Sequence, residues 1–304
     1  MIDLDSFLET GIHHFNKGVD KDKSKNLLDK INKFRPLGLN IFLDEVTFKN
    51  NPQFKGVNPI PGRNLVENFS EDILYIDNNS DVIENINAVL GDNYKIIDKK
   101  FVCGVPQVWI PSWIKDYIAE TGVKNLGPYI KPEYRDITYF SGIDFHQDII
   151  DWPEMEPNFI TMYVYLDDVD LNDAPLHLLP KSHIFGATKF PHHLNVMANK
   201  AWRYSNDSNE SAIFEHKLLT GKSGDVSLWH PFILHGTQPD INSTPRISLR
   251  YLIQISDSEY ESRCGLKDLN KKIKGYMKLS NTRHDLNDAG EAIIKGNHVN
   301  QIEY

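Results

Sequence analysis

Residues Arg246 to Ile255 read RISLRYLIQI and alternate with a period of two. Ile247, Leu249, Tyr251, Ile253 and Ile255 fall on one side. Arg246, Ser248, Arg250 and Gln254 fall on the other. As a strand, this segment has one apolar face and one face bearing two guanidinium groups. A barrel whose inward face is that polar encloses a site as well as a core. Three further segments are expected to be strands, being dense in β-branched, aromatic and aliphatic residues: 159–166 (FITMYVYL), 176–179 and 226–229. Helical spacing dominates earlier. It links Leu4, Phe7, Leu8 and Ile12, then Leu27, Leu28 and Ile31 before Pro36 and Gly38. Residues 79–90 predict another helix, capped by Asn79 or Ser80 and ended by Gly91. A chain of 304 residues suits one large β-barrel with helical additions.

Composition narrows the function. A formal charge of −9 repels phosphate backbones, so nucleic-acid binding is not expected. The lysines of 21–30 and 267–274 are interspersed with Asp, Asn and Leu and read as solvated helix faces. Two cysteines, Cys103 and Cys264, suggest neither a disulfide framework nor a zinc site. No apolar run approaches a membrane span, and the acidic N-terminus is unlike a signal peptide. The Asn-X-Ser/Thr triplets at Asn68, Asn206 and Asn242 are then chance matches, and a cytoplasmic location is expected.

His146-Gln147-Asp148 carries the chemistry. Side chains two apart on a strand or strand end point the same way, so an imidazole and a carboxylate can share one metal. A second histidine from a neighbouring strand would complete the two-His-one-carboxylate set of non-haem Fe(II) oxygenases, with three positions left open. Gly224-Asp225-Val226 opens a turn into a strand, and Ile233-Leu234-His235-Gly236-Thr237 follows. Arg246 stands eleven residues past His235, where it can pair bidentately with a carboxylate.

This set of HxD, GDV, HGT and a spaced arginine resembles the phytanoyl-CoA dioxygenase-like family of Fe(II)/2-oxoglutarate-dependent oxygenases. Pro175 to His183 (PLHLLPKSH) is similar to that family's G-x-L-x-x-x-P-G-S-H turn. It departs at Ala174-Pro175 and at Lys181, where the family has glycine. Residues 82–92 are similar to the family's helix before the barrel. The resemblance covers roughly residues 80–255 and implies a mainly β fold with flanking helices around a double-stranded β-helix (jelly roll) core. It implies one oxygenase domain over 1–304: a mainly helical part over 1–95, the core at 96–256 and an extension at 257–304. By position, His146, Asp148 and His235 would hold Fe(II). Arg246 and Thr237 would hold 2-oxoglutarate. Thr161, Tyr163 and Tyr165 share a strand face, and Tyr163 is chosen as a further co-substrate contact; Lys100 is a looser candidate. The implied reaction consumes O2 and 2-oxoglutarate, releases succinate and CO2, and hydroxylates a small molecule. Asp148 favours that outcome, or a desaturation or ring closure, over chlorination, because the related halogenases lack this carboxylate.

Other readings compete. His146 and Asp148 could be a core histidine and a turn residue. The chain could be a cupin-like metal enzyme that does not use 2-oxoglutarate, or a non-catalytic metal-binding protein. His230 and His183 read as structural, and His192 and His193 as loop residues. Arg250 could meet substrate or pair with an acid. Asp151, Trp152 and Glu154 could form a substrate loop or be solvated. Gly221-Lys222-Ser223 lacks the earlier glycine of a P-loop, and no HExxH occurs. Oligomeric state is not legible.

Overall fold

Asp3 and Asp20 each accept a first-turn N–H, from Ser6 at 3.2 Å and Lys23 at 3.0 Å. They open α1 (Leu4–Thr10) and α2 (Lys21–Phe34). The structure, a computed structural model, describes residues 2–51, 64–119, 123–152, 155–206, 208–256, 265–273 and 283–287. Three short helices follow: α3 (Glu45–Asn50), α4 (Asn64–Asn68) and α5 (Leu74–Asp77). Asn79 then caps α6 (Ser80–Leu90) by accepting from Val82 N at 3.0 Å, and Gly91 ends it as expected. Later come α7 (Ser112–Ile118) and α8 (Gly265–Asn270).

One helical expectation fails. Ile12 is not part of the first helix. Gly11 takes a left-handed φ of +74°, and its N–H closes onto Phe7 O at 2.7 Å, which ends the helix. Ile12 instead begins β1 (Ile12–Phe15).

The remaining strands are β2 (Tyr94–Gly104), β3 (Val123–Asn125), β4 (Thr138–His146), β5 (Phe159–Tyr165), β6 (Leu176–Leu179), β7 (His193–Val196), β8 (Trp202–Ser205), β9 (Ser211–Phe214), β10 (Lys217–Leu219), β11 (Val226–Trp229), β12 (Leu234–Thr237) and β13 (Arg246–Ile255). Ten of them form one sheet in the order β1-β11-β5-β13-β2-β4-β12-β6-β10, with β3 on the side of β4. Every pairing is antiparallel except β2 with β4. β7, β8 and β9 make a separate small sheet.

β13 is paired along its length with both β2 and β5. Its Ile247, Leu249, Tyr251 and Ile253 are buried in one cluster with Phe7, Leu27, Ile31, Ile86 and Val89 from the helices. Its Arg246 and Arg250 face the other way, into a cavity open to solvent that spans about 700 Å³ with its mouth included. Residues of β2, β4, β5, β6, β11, β12 and β13 all line that cavity, so the sheet curls round it. The fold is thus a curled, mixed-sheet half-barrel with helices on its outer face, of the double-stranded β-helix class expected from the sequence. β2 belongs to the centre of this sheet although its mixed YKIIDKKFVCG pattern gives no clear signal.

Among the described residues no helix is long and apolar enough to cross a membrane. Cys103 is buried on β2 with a free thiol. Cys264, Glu154 and most of 257–304 lie outside the described residues.

Candidate metal centre

β4 and β12 place His146 and His235 directly opposite each other in the antiparallel register. Their ring centroids are 4.2 Å apart. The pairing slips between His235 and Thr237, and Gly142 of β4 fits that irregularity. Its φ is +97°, and a Cβ there would stand 3.1 Å from the Thr237 carbonyl oxygen. A side chain at this position would strain the backbone and crowd the strand that carries His235.

Just past β4, Gln147 is fully buried and ties three segments together. Its amide donates to Gly186 O and Phe232 O, and its carbonyl accepts from Thr188 N, each at 2.9 Å. The chain then turns tightly at Asp148–Asp151. Asp148 therefore sits on a turn held by Gln147, one step beyond the strand.

The structure brings together the three residues singled out from the sequence. One ligand atom from each of His146, Asp148 and His235 lies within 4.8 Å of the others. Each imidazole Nδ1 is engaged with a backbone carbonyl, Asp144 O at 3.0 Å for His146 and Ile233 O at 2.9 Å for His235. An Nδ1–H donating to a carbonyl fixes the tautomer and leaves Nε2 with its lone pair toward the cavity. His235 Nε2 lies 3.7 Å from Asp148 Oδ1.

Asp148 is held on both oxygens. Oδ2 accepts from Thr161 Oγ1 at 2.6 Å and Trp229 Nε1 at 2.8 Å, and Oδ1 accepts from Arg250 Nη2 at 2.6 Å. Burial works to raise its pKa, but Arg250, His235, His146 and Thr161 outweigh it and hold the carboxyl well below the ordinary range. Burial, helped by His146, lowers the His235 pKa to about 4. At neutral pH the site thus offers an ionised carboxylate beside a neutral imidazole, the forms a divalent ion requires. The donor set suits iron: nitrogen and oxygen, two histidines and one carboxylate.

Arg246 closes the other end of the cavity. Its Nη1 donates to Tyr163 Oη at 2.9 Å and to Ser248 Oγ at 3.2 Å. Its Nε is buried and has no hydrogen-bond partner among the described residues. The cross-strand neighbour is Gly104, where a Cβ would come 3.4 Å from that Nε. A buried guanidinium with an unused donor, and space beside it, fits a carboxylate. Thr237 and Tyr163 line the same cavity, with Val102, Phe140, Ile143 and Leu176 as apolar wall.

The remaining singled-out residues separate clearly. Arg250 pairs with acids, reaching Asp98 Oδ2 at 3.6 Å as well as Asp148. Lys100 lines the cavity opposite Arg250, 3.9 Å from Asp98 Oδ2. Asp151 is at the cavity edge and pairs with Arg283 at 3.2 Å. Trp152 packs beside Ile149 and Phe159. His230 is buried between Phe232 N and Asn270 Oδ1, and His183 is buried in the turn under Gly11. His192 bonds Thr188 Oγ1 at 2.7 Å, while His193 is exposed on β7. Sequence reasoning missed Gln147, Trp229 and Asp98, and gave Thr161 no role beyond sharing a face with Tyr163. Only Thr161 carried a usable signal, because alternation along β5 puts it on that face.

Comparison with known proteins bears on the same stretch. The family model described as phytanoyl-CoA dioxygenase (PhyH) matches residues 132–248. A curated relative from Stutzerimonas stutzeri, named a probable alpha-ketoglutarate-dependent hypophosphite dioxygenase, is 30% identical over 107 residues. That alignment covers 34% of this chain and 36% of the relative, so the chain matches about a third of the relative's length. The crystal structure of the epimerase SnoN with Fe3+, alpha ketoglutarate and nogalamycin RO is similar with a TM-score of 0.51. It is 10% identical, and the match covers 83% of this chain and 82% of that one. A second SnoN structure from nogalamycin biosynthesis gives 0.50 at 11% identity, covering 83% and 81%. These likenesses concern the fold.

Proposed function

We propose that the chain, whose residues 132–248 match the phytanoyl-CoA dioxygenase family model, is an Fe(II)/2-oxoglutarate-dependent oxygenase that hydroxylates an unactivated C–H bond of a small molecule. In the balanced reaction, substrate, O2 and 2-oxoglutarate give hydroxylated substrate, succinate and CO2. His146, Asp148 and His235 would hold the Fe(II), which supplies the O2 activation when bound. The observation that carries the reading is the opposed His146–His235 pair, both Nδ1 atoms engaged and Asp148 ionised beside it.

The chain's own residues do the rest. Arg246 binds the distal carboxylate of 2-oxoglutarate, with Thr237 and Tyr163 beside it. This arginine separates the reading from a metal enzyme that does not use a 2-oxo acid. Thr161 and Trp229 fix the Asp148 carboxylate and keep its orientation during turnover. The apolar wall excludes bulk water from the reacting carbon. A carboxylate at position 148 leaves no place for a halide, which favours oxygen transfer to carbon. Similar folds serve other outcomes, epimerisation among them, so hydroxylation rests on the site and not on the fold. The Stutzerimonas relative is named for hypophosphite, a small oxyanion, in keeping with a small-molecule substrate here. A reducing compartment such as the cytoplasm fits a ferrous cofactor.

Turnover under 18O2 tests the reading. Wild-type protein with Fe(II) and 2-oxoglutarate should release 18O-labelled succinate, and the true substrate should gain one labelled oxygen atom. His146→Ala and His235→Ala should abolish both. Succinate release that persists in both variants would contradict the assignment.

A further inference from the structure

Lys100, only a looser co-substrate candidate from the sequence, has a cationic head that the site described above does not use. It stands on β2 directly across from Arg250 and lines the cavity. Its side chain is 16% exposed. Among the described residues its Nζ makes no hydrogen bond, and its ion pair to Asp98 Oδ2 is long at 3.9 Å. That same Asp98 oxygen is nearer to Arg250, at 3.6 Å.

The other charges around the cavity have counterparts. Arg250 lies between Asp148 and Asp98. Asp151 pairs with Arg283 at the cavity edge. On the proposed reading, the carboxylates of 2-oxoglutarate face Arg246 and the metal. Lys100 is the cation left over, largely enclosed and with unused donors. A buried charge in that condition is costly until an anion meets it.

Its position shows which anion. Arg246 faces Gly104 and Arg250 faces Lys100 in the β13–β2 register, four residues further along. At about 3.3 Å per residue this sets the Lys100 backbone ~13 Å from the 2-oxoglutarate clamp. Lys100 is thus at the Asp148 end of the cavity, where a substrate must enter to be oxidised. Resting on the function proposed above, we infer that Lys100 binds a negatively charged substituent of the substrate, so that the substrate is a small acid carrying a carboxylate, phosphonate or phosphinate. Burial, foremost, and the neighbouring Arg250 lower the Lys100 pKa to about 8, although Asp98, Asp151 and Asp148 each pull it upward.

Anaerobic calorimetric titration of the Fe(II)- and 2-oxoglutarate-loaded protein tests this, with acetate, methylphosphonate and uncharged acetamide as probes. Wild type should bind the two anions and not acetamide. Lys100→Met should weaken anion binding by about tenfold or more, the loss of a charged hydrogen bond, and Lys100→Arg should restore part of it. Affinity for 2-oxoglutarate, titrated separately, should stay unchanged. Equal anion binding in wild type and Lys100→Met, or none in wild type, would overturn the inference. Loss of 2-oxoglutarate affinity in Lys100→Met would also overturn it, by assigning the lysine to the co-substrate. Failure of wild type itself to bind 2-oxoglutarate would instead overturn the function on which the inference rests.

Discussion

Asp148 receives hydrogen bonds from three side chains on three different strands: Thr161, Trp229 and Arg250. A carboxylate restrained in this way loses little freedom when it takes a metal. Trp229→Phe removes one donor while keeping most of the ring packing. It should weaken Fe(II) affinity by roughly 10-fold or more, as expected for a lost outer hydrogen bond to a ligand, and a metal titration would measure it. Arg246→Lys is the more severe change for the co-substrate. Lysine keeps the charge but loses the planar fork, so 2-oxoglutarate affinity should fall by about 10- to 100-fold, equal to ~1.4–2.7 kcal/mol. Equal affinity in the variant would remove Arg246 from the proposed role. The triplet His146, Asp148 and His235, which the fold brings together, and Arg246 in the same cavity were readable as candidates from their spacing. Gln147, Trp229 and Asp98 were not, since their roles come from contacts 39 to 85 residues away or from neighbours across the sheet.

β13 does two jobs with its two faces. Its odd-numbered aliphatic and aromatic residues are buried with the helices, and its arginines face the cavity. That division was readable from alternation alone. β2 was not, because Lys95, Asp98, Lys99 and Lys100 mask the period, although this strand supplies Lys100, Val102 and Gly104 to the cavity. Local helix periodicity also overran its end at Ile12, where Gly11 decides the boundary. Leu249 is fully buried at the centre of the face that meets the helices. Leu249→Ala should cost about 2–5 kcal/mol of stability by creating a cavity, seen as a lower denaturant midpoint. A change well under 1 kcal/mol would mean that this face is not the shared core.

Across the whole molecule, several histidines are buried in neutral form. Burial, foremost, lowers the pKa of His177 to about 3 and of His183 to about 4. In the unfolded chain they titrate near 6.5. Between pH 6.5 and about 4 the unfolded state binds more protons than the folded one, so stability falls as pH falls through that window. Each contributes on the order of 1 kcal/mol per pH unit, and denaturant midpoints at pH 7, 6 and 5 should decline accordingly. A flat profile would place these rings in water. The central claim is that one cavity holds Fe(II) at His146, Asp148 and His235 and 2-oxoglutarate at Arg246. The most direct test is anaerobic: Fe(II), then 2-oxoglutarate, added to metal-free protein while the visible charge-transfer absorbance is followed, with Asp148→Ala and Arg246→Ala alongside. A band in wild type that is lost or weakened in both variants is the expected result. Iron bound normally with no band on adding 2-oxoglutarate would contradict it.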